Sequence, residues 1–211
     1  CFFPYFLFSY EITKIISREN PLFNLENASF TLGKDGNVYF FSPISGRWDG
    51  YILKVDLTGK IKTGYAVGYG GSVNVTANSD GVMAEASAHF RHTVTIYDKN
   101  FKKLYEISDF LVNDTVGWDS PGHVESGESG DFYALDQNRD RILRITPKGK
   151  IIKIYQIPKF EKTKCYNFRV CENKEKFYLL YWGKGLVCID FNGNIKWESK
   201  SIYENFDVDS E

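Results

Sequence analysis

The chain has 211 residues and a formal net charge of −1, from 26 basic and 27 acidic side chains. That near-balance leaves no basic field to hold a phosphate backbone, so nucleic acid is excluded as a first expectation. Hydrophobic residues at 43% and charged residues at 25% are the proportions of a globular chain long enough to bury a core, and 17% aromatics favour pleated, half-buried surfaces.

Residues 1–9, CFFPYFLFS, are intensely apolar but far too short to span a bilayer as a helix. Three readings stand for them: the remnant of a signal or anchor segment, a lipoprotein start at Cys1, or a strand that completes the fold. The bulky Phe2-Phe3 pair tells against the lipoprotein. An anchor or a lipoprotein start would tie the chain to a membrane, and the compartment leans extracytoplasmic. Residues 10–17 alternate in part and read as a strand, ended by turn chemistry at Arg18-Glu19-Asn20-Pro21. Residues 1–22 are therefore set apart from a repeat domain over 23–211.

From Ala28 a period sets in. Phe30-Thr31-Leu32 runs into Asp35-Gly36-Asn37, then Val38-Tyr39-Phe40-Phe41. After a polar insert come residues 51–55, a turn at Thr58-Gly59 and the run 60–67. Asp-Gly between β-rich runs signals a hairpin, because glycine takes positive φ without steric cost. The plan returns with first turns at Gly81, Gly130 and near Lys174, and second turns at Asn100, Gly149 and Gly193. The spacing is about 45 residues, the period of a propeller blade. Each unit has four short strands and no stretch with the spacing of a long amphipathic helix. A four-stranded unit cannot cover its own two faces, whereas units packed face to face around an axis bury both.

The fold expected is all-β: a β-propeller of four-stranded antiparallel blades near 28–67, 72–109, 118–158 and 166–200, plus a partial or composite fifth. Residues 206–209 look like the first strand of that fifth unit. Two arrangements stay open: a composite blade completed by residues 1–17, or a fragment of a larger ring. Val38, Phe40, Phe132, Ala134, Ile142, Ile154, Phe177, Leu179 and Val187 are expected in the cores between blades.

Residues 132–142, FYALDQNRDRI, resemble the NHL-repeat pattern of an aromatic strand, an Asp, an Asn and then Arg-Ile. The match is good for the third unit, partial for the first and weak for the others. Residues 186–197, LVCIDFNGNIKW, are also similar to a quinoprotein-type blade, in which a Trp after the turn docks between blades. The NHL resemblance implies a propeller whose loops present residues at one rim of a central channel.

No nucleophile, metal or phosphate-loop motif is present: there is no GxSxG, no HExxH, and Gly68-Tyr69-Gly70-Gly71 has no following Lys and helix. No catalytic residue, metal ligand or cofactor is assigned. Asp136, Asn138 and Asp140 lack the Gly and Glu of a calcium loop and read as turn formers, with Arg139 or Arg141 paired to a carboxylate. His89 and His92 flank a loop without nearby paired carboxylates. Cys1, Cys165, Cys171 and Cys188 are too few for a disulfide scaffold, although a Cys165–Cys171 or Cys171–Cys188 bridge stays open. Asn27, Asn74 and Asn113 head glycosylation sequons, which matter only in a secreted eukaryotic protein.

The residues assigned to binding are Trp48, Trp118, His123, Arg139 and Trp182, all in connections between strands or at a strand's entry. The leading expectation is a non-catalytic platform for a protein partner. A second is a lactonase- or lyase-like propeller enzyme with calcium held by groups such as Glu85, Asn167 and Asp207. A third is an extracellular or envelope structural protein anchored through its N-terminal segment.

Overall fold

The computed structural model describes residues 29–43, 50–67, 74–87, 92–108, 110 and 121–199. They form sixteen strands and one short 3-10 turn, Glu172–Lys174. The strands make four separate four-stranded antiparallel sheets, each in chain order. The first holds β1 (Ser29–Leu32), β2 (Val38–Pro43), β3 (Gly50–Val55) and β4 (Ile61–Val67). The second holds β5 (Asn74–Ala77), β6 (Met83–Ser87), β7 (Thr93–Tyr97) and β8 (Lys103–Ile107). The third holds β9 (His123–Ser126), β10 (Phe132–Asp136), β11 (Arg141–Ile145) and β12 (Ile151–Gln156). The fourth holds β13 (Cys165–Cys171), β14 (Lys176–Tyr181), β15 (Gly185–Asp190) and β16 (Ile195–Glu198). These are the four expected units in the expected order. The expected fifth, built on residues 206–209 and 1–17, lies outside the described residues.

The turns explain why the strands stop where they do. Gly36, Gly81 and Gly130 close the first turn of a sheet at positive φ. Each third-to-fourth turn opens on a residue whose side chain collects the turn's amides. Asp56 Oδ1 accepts from the Thr58 and Lys60 N–H, Asp98 Oδ1 from Asn100 and Lys102, and Asp190 Oδ1 from Asn192 and Asn194. Gly59, Gly149 and Gly193 supply the left-handed position in three of these turns. The second sheet uses Phe101 there, at φ 64. Its ring lies in the core, parallel to Tyr65 at 6.3 Å, and that packing offsets the conformational cost.

Successive sheets pack face to face. Tyr39, Phe41 and Ile52 of the first meet Val75, Met83 and Tyr97 of the second. The small Ala84 and Ala86 on the other face of the second sheet admit Phe132 and Ile145 of the third. Tyr133, Leu135 and Tyr155 of the third meet Phe168, Phe177 and Leu179 of the fourth. A middle strand such as β10 is therefore buried on both faces along its whole length. The first strands lie side by side, β1 against β5, β5 against β9 and β9 against β13. The fourth strands are exposed, β16 at every residue. The first strands are thus the inner ones.

One core assignment is corrected. Ile154 lies on the outermost strand of its sheet and is 46% exposed, while its neighbour Tyr155 turns inward. The other eight residues named for the core are buried. Both disulfide options also fall. Cys165 and Cys171 are the two ends of β13, about 20 Å apart at strand rise. Cys171 and Cys188 lie on β13 and β15 with β14 between them, about 10 Å apart at strand spacing and beyond the reach of a bridge. All three are buried free thiols.

Carboxylates tie the hairpin-turn end. Glu172 accepts hydrogen bonds from the Ser129 amide at 2.5 Å, the Ser129 hydroxyl at 2.8 Å and the Tyr133 hydroxyl at 2.5 Å, with Arg144 at 3.3 Å. This joins the third and fourth sheets. Asp35 ties strands within the first sheet, with Tyr39 of β2 and Lys54 of β3 each at 2.8 Å. In both cases burial works to raise the carboxyl pKa, and the hydrogen bonds outweigh it and hold it low.

Candidate binding face

Antiparallel order sends the first-to-second and third-to-fourth turns to one end of each sheet. The second-to-third connections and the links between sheets go to the other. His123 opens β9, Arg139 lies between β10 and β11, and Trp182 lies between β14 and β15. These three assigned residues therefore share one end of the molecule. Trp48 and Trp118 lie outside the described residues.

Arg139 sits in a turn built by its neighbours. Its amide donates to the Asp136 carbonyl at 3.3 Å, and Asp140 takes φ 47. The Asp136 carboxylate is fully buried, with Arg141 Nε at 2.8 Å and Arg139 at 3.6 Å. The NHL-like residues here thus act first as structural ties, as the turn-former reading expected. Gly122 is glycine for a reason of space: a Cβ there would lie 2.6 Å from the Gln137 amide.

His123 is drawn into a cluster that sequence reasoning did not name. Arg169 on β13 places its Nε 3.1 Å from Glu125 Oε1 and an amino group 3.2 Å from His123 Nε2. The same amino group donates to the Phe168 carbonyl at 3.1 Å and to Asn167 Oδ1 at 3.4 Å. A guanidinium only donates, so His123 Nε2 accepts and the imidazole is neutral. Burial, and then the Arg169 charge, lower its pKa to about 3. The His123 ring also meets Phe168 edge-on at 5.3 Å.

Glu125 does a second job, since its other oxygen accepts the Val170 N–H at 2.8 Å. Asn74 accepts the Val124 N–H at 3.0 Å one sheet earlier. Side chains of one inner strand thus satisfy edge amides of the next. The signal for the cluster was present in the sequence. His123 and Asn167, and likewise Glu125 and Arg169, stand about one repeat period apart.

Trp182 is 76% exposed. Its backbone is fixed on both sides: its N–H donates to the Lys164 carbonyl at 3.2 Å, and its carbonyl accepts from the Thr163 hydroxyl. Tyr166 meets the indole edge-on at 5.7 Å. Beneath, the Tyr181 hydroxyl donates to the Pro158 carbonyl at 2.6 Å, and Phe160 stacks edge-on against Tyr181 at 4.9 Å. Lys184 lies 3.8 Å over the Phe160 ring and 2.9 Å from Glu198. The result is a fixed base under an outward-facing indole.

Among the described residues no group of three or more His, Cys, Asp or Glu could hold a metal ion. The two described members of the calcium set have separate partners. Glu85 on β6 accepts from the Tyr97 hydroxyl at 2.6 Å, on the face of the second sheet packed against the first. Asn167 belongs to the Arg169 cluster on β13. Asp207 and His89 lie outside the described residues. Among the described residues no helix is long and apolar enough to cross a membrane.

No family model matches the chain, and no curated protein matches it. Solved structures do. A protein of unknown function from Bacteroides caccae aligns at 14% identity and a TM-score of 0.59, over 83% of this chain and 68% of its own. The catalytically inactive virginiamycin B lyase from Staphylococcus aureus, solved with quinupristin, aligns at 19% identity and a TM-score of 0.58, over 82% of this chain and 56% of its own. BamB from Moraxella catarrhalis aligns at 12% identity and a TM-score of 0.52, over 79% of this chain and 47% of its own. The lyase and BamB are propeller-like, and the four sheets have the strand order of blades. The fold is a β-propeller. The chain spans about half the length of the lyase and of BamB. At these identities the likeness concerns fold alone.

Proposed function

We propose that the chain forms part of a β-propeller used as a rigid platform for a protein partner, with no chemistry of its own. The partner binds at the end that carries His123, Arg139 and Trp182, and the blades are NHL-like in the third repeat. The observation that carries this reading is Trp182. A large aromatic residue, 76% exposed on a backbone pinned by two hydrogen bonds, suits an interface anchor, because little freedom remains to be lost on binding. In the same reading residues 23–211 are the propeller domain, and residues 1–22 close it or anchor it at an extracytoplasmic membrane surface.

A photo-crosslinking residue at position 182 tests the platform, with position 148, exposed in the β11–β12 turn at the other end, as control. In cells of the source organism the platform gives a discrete protein adduct at 182 and none at 148. Equal adducts at both positions, or none at either, would refute it.

A second reading, a lyase-like enzyme, draws on the likeness to virginiamycin B lyase. Quinupristin incubated with the chain and a divalent cation tests it by mass spectrometry, and an unaltered product profile dismisses it.

A further inference from the structure

We infer that the segment seated on Trp182 is an acidic peptide bearing apolar side chains. This rests on the platform reading and names the chemistry of its partner.

The charge around Trp182 departs from the rest of the chain. Overall, basic and acidic residues nearly cancel, 26 against 27. In residues 158–164 and 182–184 stand Lys159, Lys162, Lys164 and Lys184 against Glu161, with Asp140 facing Lys159 and Lys164 and Glu198 paired to Lys184, so basic groups outnumber acids by one. Lys159 is 84% exposed, and the Asp140 carboxylate is 4.0 Å away. Lys162 and Lys164 are exposed. Lys184 is held by Glu198 and Phe160, so it shapes the base of the patch. The lysine turn and the indole are also locked to each other. Phe160 and Thr163 pair across the turn, and Thr163 and Lys164 make the two backbone ties to Trp182. The backbone of the lysine turn and that of Trp182 are therefore held side by side.

This combination selects among anionic partners. A nucleic-acid backbone is held by a long basic track, which a near-neutral chain with one local cluster does not offer. A membrane surface is gripped by several inserted apolar side chains, and this turn presents one exposed indole. A short peptide with alternating carboxylates and apolar side chains matches both features. Its carboxylates meet Lys159, Lys162 and Lys164 and steer the encounter, and an apolar side chain covers Trp182.

The test uses the full chain and fluorescence anisotropy with a labelled peptide of alternating Glu and Leu. A Lys/Leu peptide and vesicles of phosphatidylserine and phosphatidylcholine serve as comparisons. The Glu/Leu peptide should bind and the Lys/Leu peptide should not. Trp182→Ala, and Lys162→Glu with Lys164→Glu, should each weaken binding by about tenfold or more. Lys148→Glu at the far end should leave it unchanged, and about 1 M salt should weaken it. Far-ultraviolet circular dichroism confirms that each variant folds.

Equal binding of the Lys/Leu peptide, unchanged affinity in the Trp182 and lysine variants, or vesicle binding without peptide binding would each overturn the inference. An adduct at position 182 without Glu/Leu binding overturns the acidic chemistry and leaves the platform standing. Absence of both removes the two together.

Discussion

Phe177→Ala probes the packing between the third and fourth sheets directly. Phe177 is completely buried, with ring centroids of Tyr133, Tyr155, Phe168 and Phe191 at 5.8, 5.0, 6.2 and 4.7 Å. Deleting a buried phenyl ring costs about 3–5 kcal/mol, more where the surroundings cannot collapse into the space. Here collapse is resisted. Tyr133 is held by its hydroxyl at Glu172, and Tyr155 and Phe191 sit under Lys153. The loss should therefore fall in the upper half of that range, about 4–5 kcal/mol. Urea unfolding followed by circular dichroism measures it as a lowered midpoint at unchanged slope. Ile154→Ala, an equally apolar position on the exposed outer strand, should cost less than about 0.5 kcal/mol. A Phe177→Ala effect below about 1 kcal/mol, or equal effects for the two variants, would refute the assignment of this interface as core.

Acid should weaken the fold in two steps. His123 is neutral in the folded state with a pKa lowered to about 3 against an ordinary 6.5, so the unfolded chain binds the extra proton and stability declines as pH falls through that window. His123→Gln should flatten the decline, read from unfolding midpoints across pH. Glu172 and Asp35, held below their ordinary 4.5 and 3.8, contribute fully above those values and lose their contribution as pH falls through the depressed folded values. Glu172→Gln should remove part of that lower limb. Gly149→Ala should destabilise by more than about 1 kcal/mol in thermal unfolding, because φ is 74 and the new Cβ would lie 2.7 Å from Tyr105 Cβ. Glu175→Gly should instead stabilise by about 0.5–1 kcal/mol, since Glu175 caps its short helical turn at φ 49.

The turns carried most of what the sequence revealed. Gly36 and Gly81 act through their positive φ, and the Asp or Thr that opens each third-to-fourth turn acts through its own side chain, so the sheets could be placed largely from their turns. Ile154 was misjudged because hydropathy does not distinguish an inner strand from an outer one. That depends on where the neighbouring sheet lies, which is a tertiary fact. His123 was legible as an entry residue, but its neutral state was not, because it depends on Arg169 across the join between two sheets. Trp182 was legible as a loop aromatic. The hydrogen bonds that fix it come from a linker eighteen residues back, whose fold the sequence did not announce.

The side-chain bridges from Asn74 to the Val124 amide and from Glu125 to the Val170 amide run only between adjacent sheets. A chain stitched in this way behaves as a row of coupled modules, with stability set by each unit and by its seam with the next. Within a unit every pairing joins consecutive strands, so contacts are local and each sheet should assemble quickly. Pulled from one end, such a row should yield sheet by sheet, giving a staircase of force events with one step per lost seam. Loosening a single seam, as in Glu125→Ala, should lower one step and leave distant ones in place.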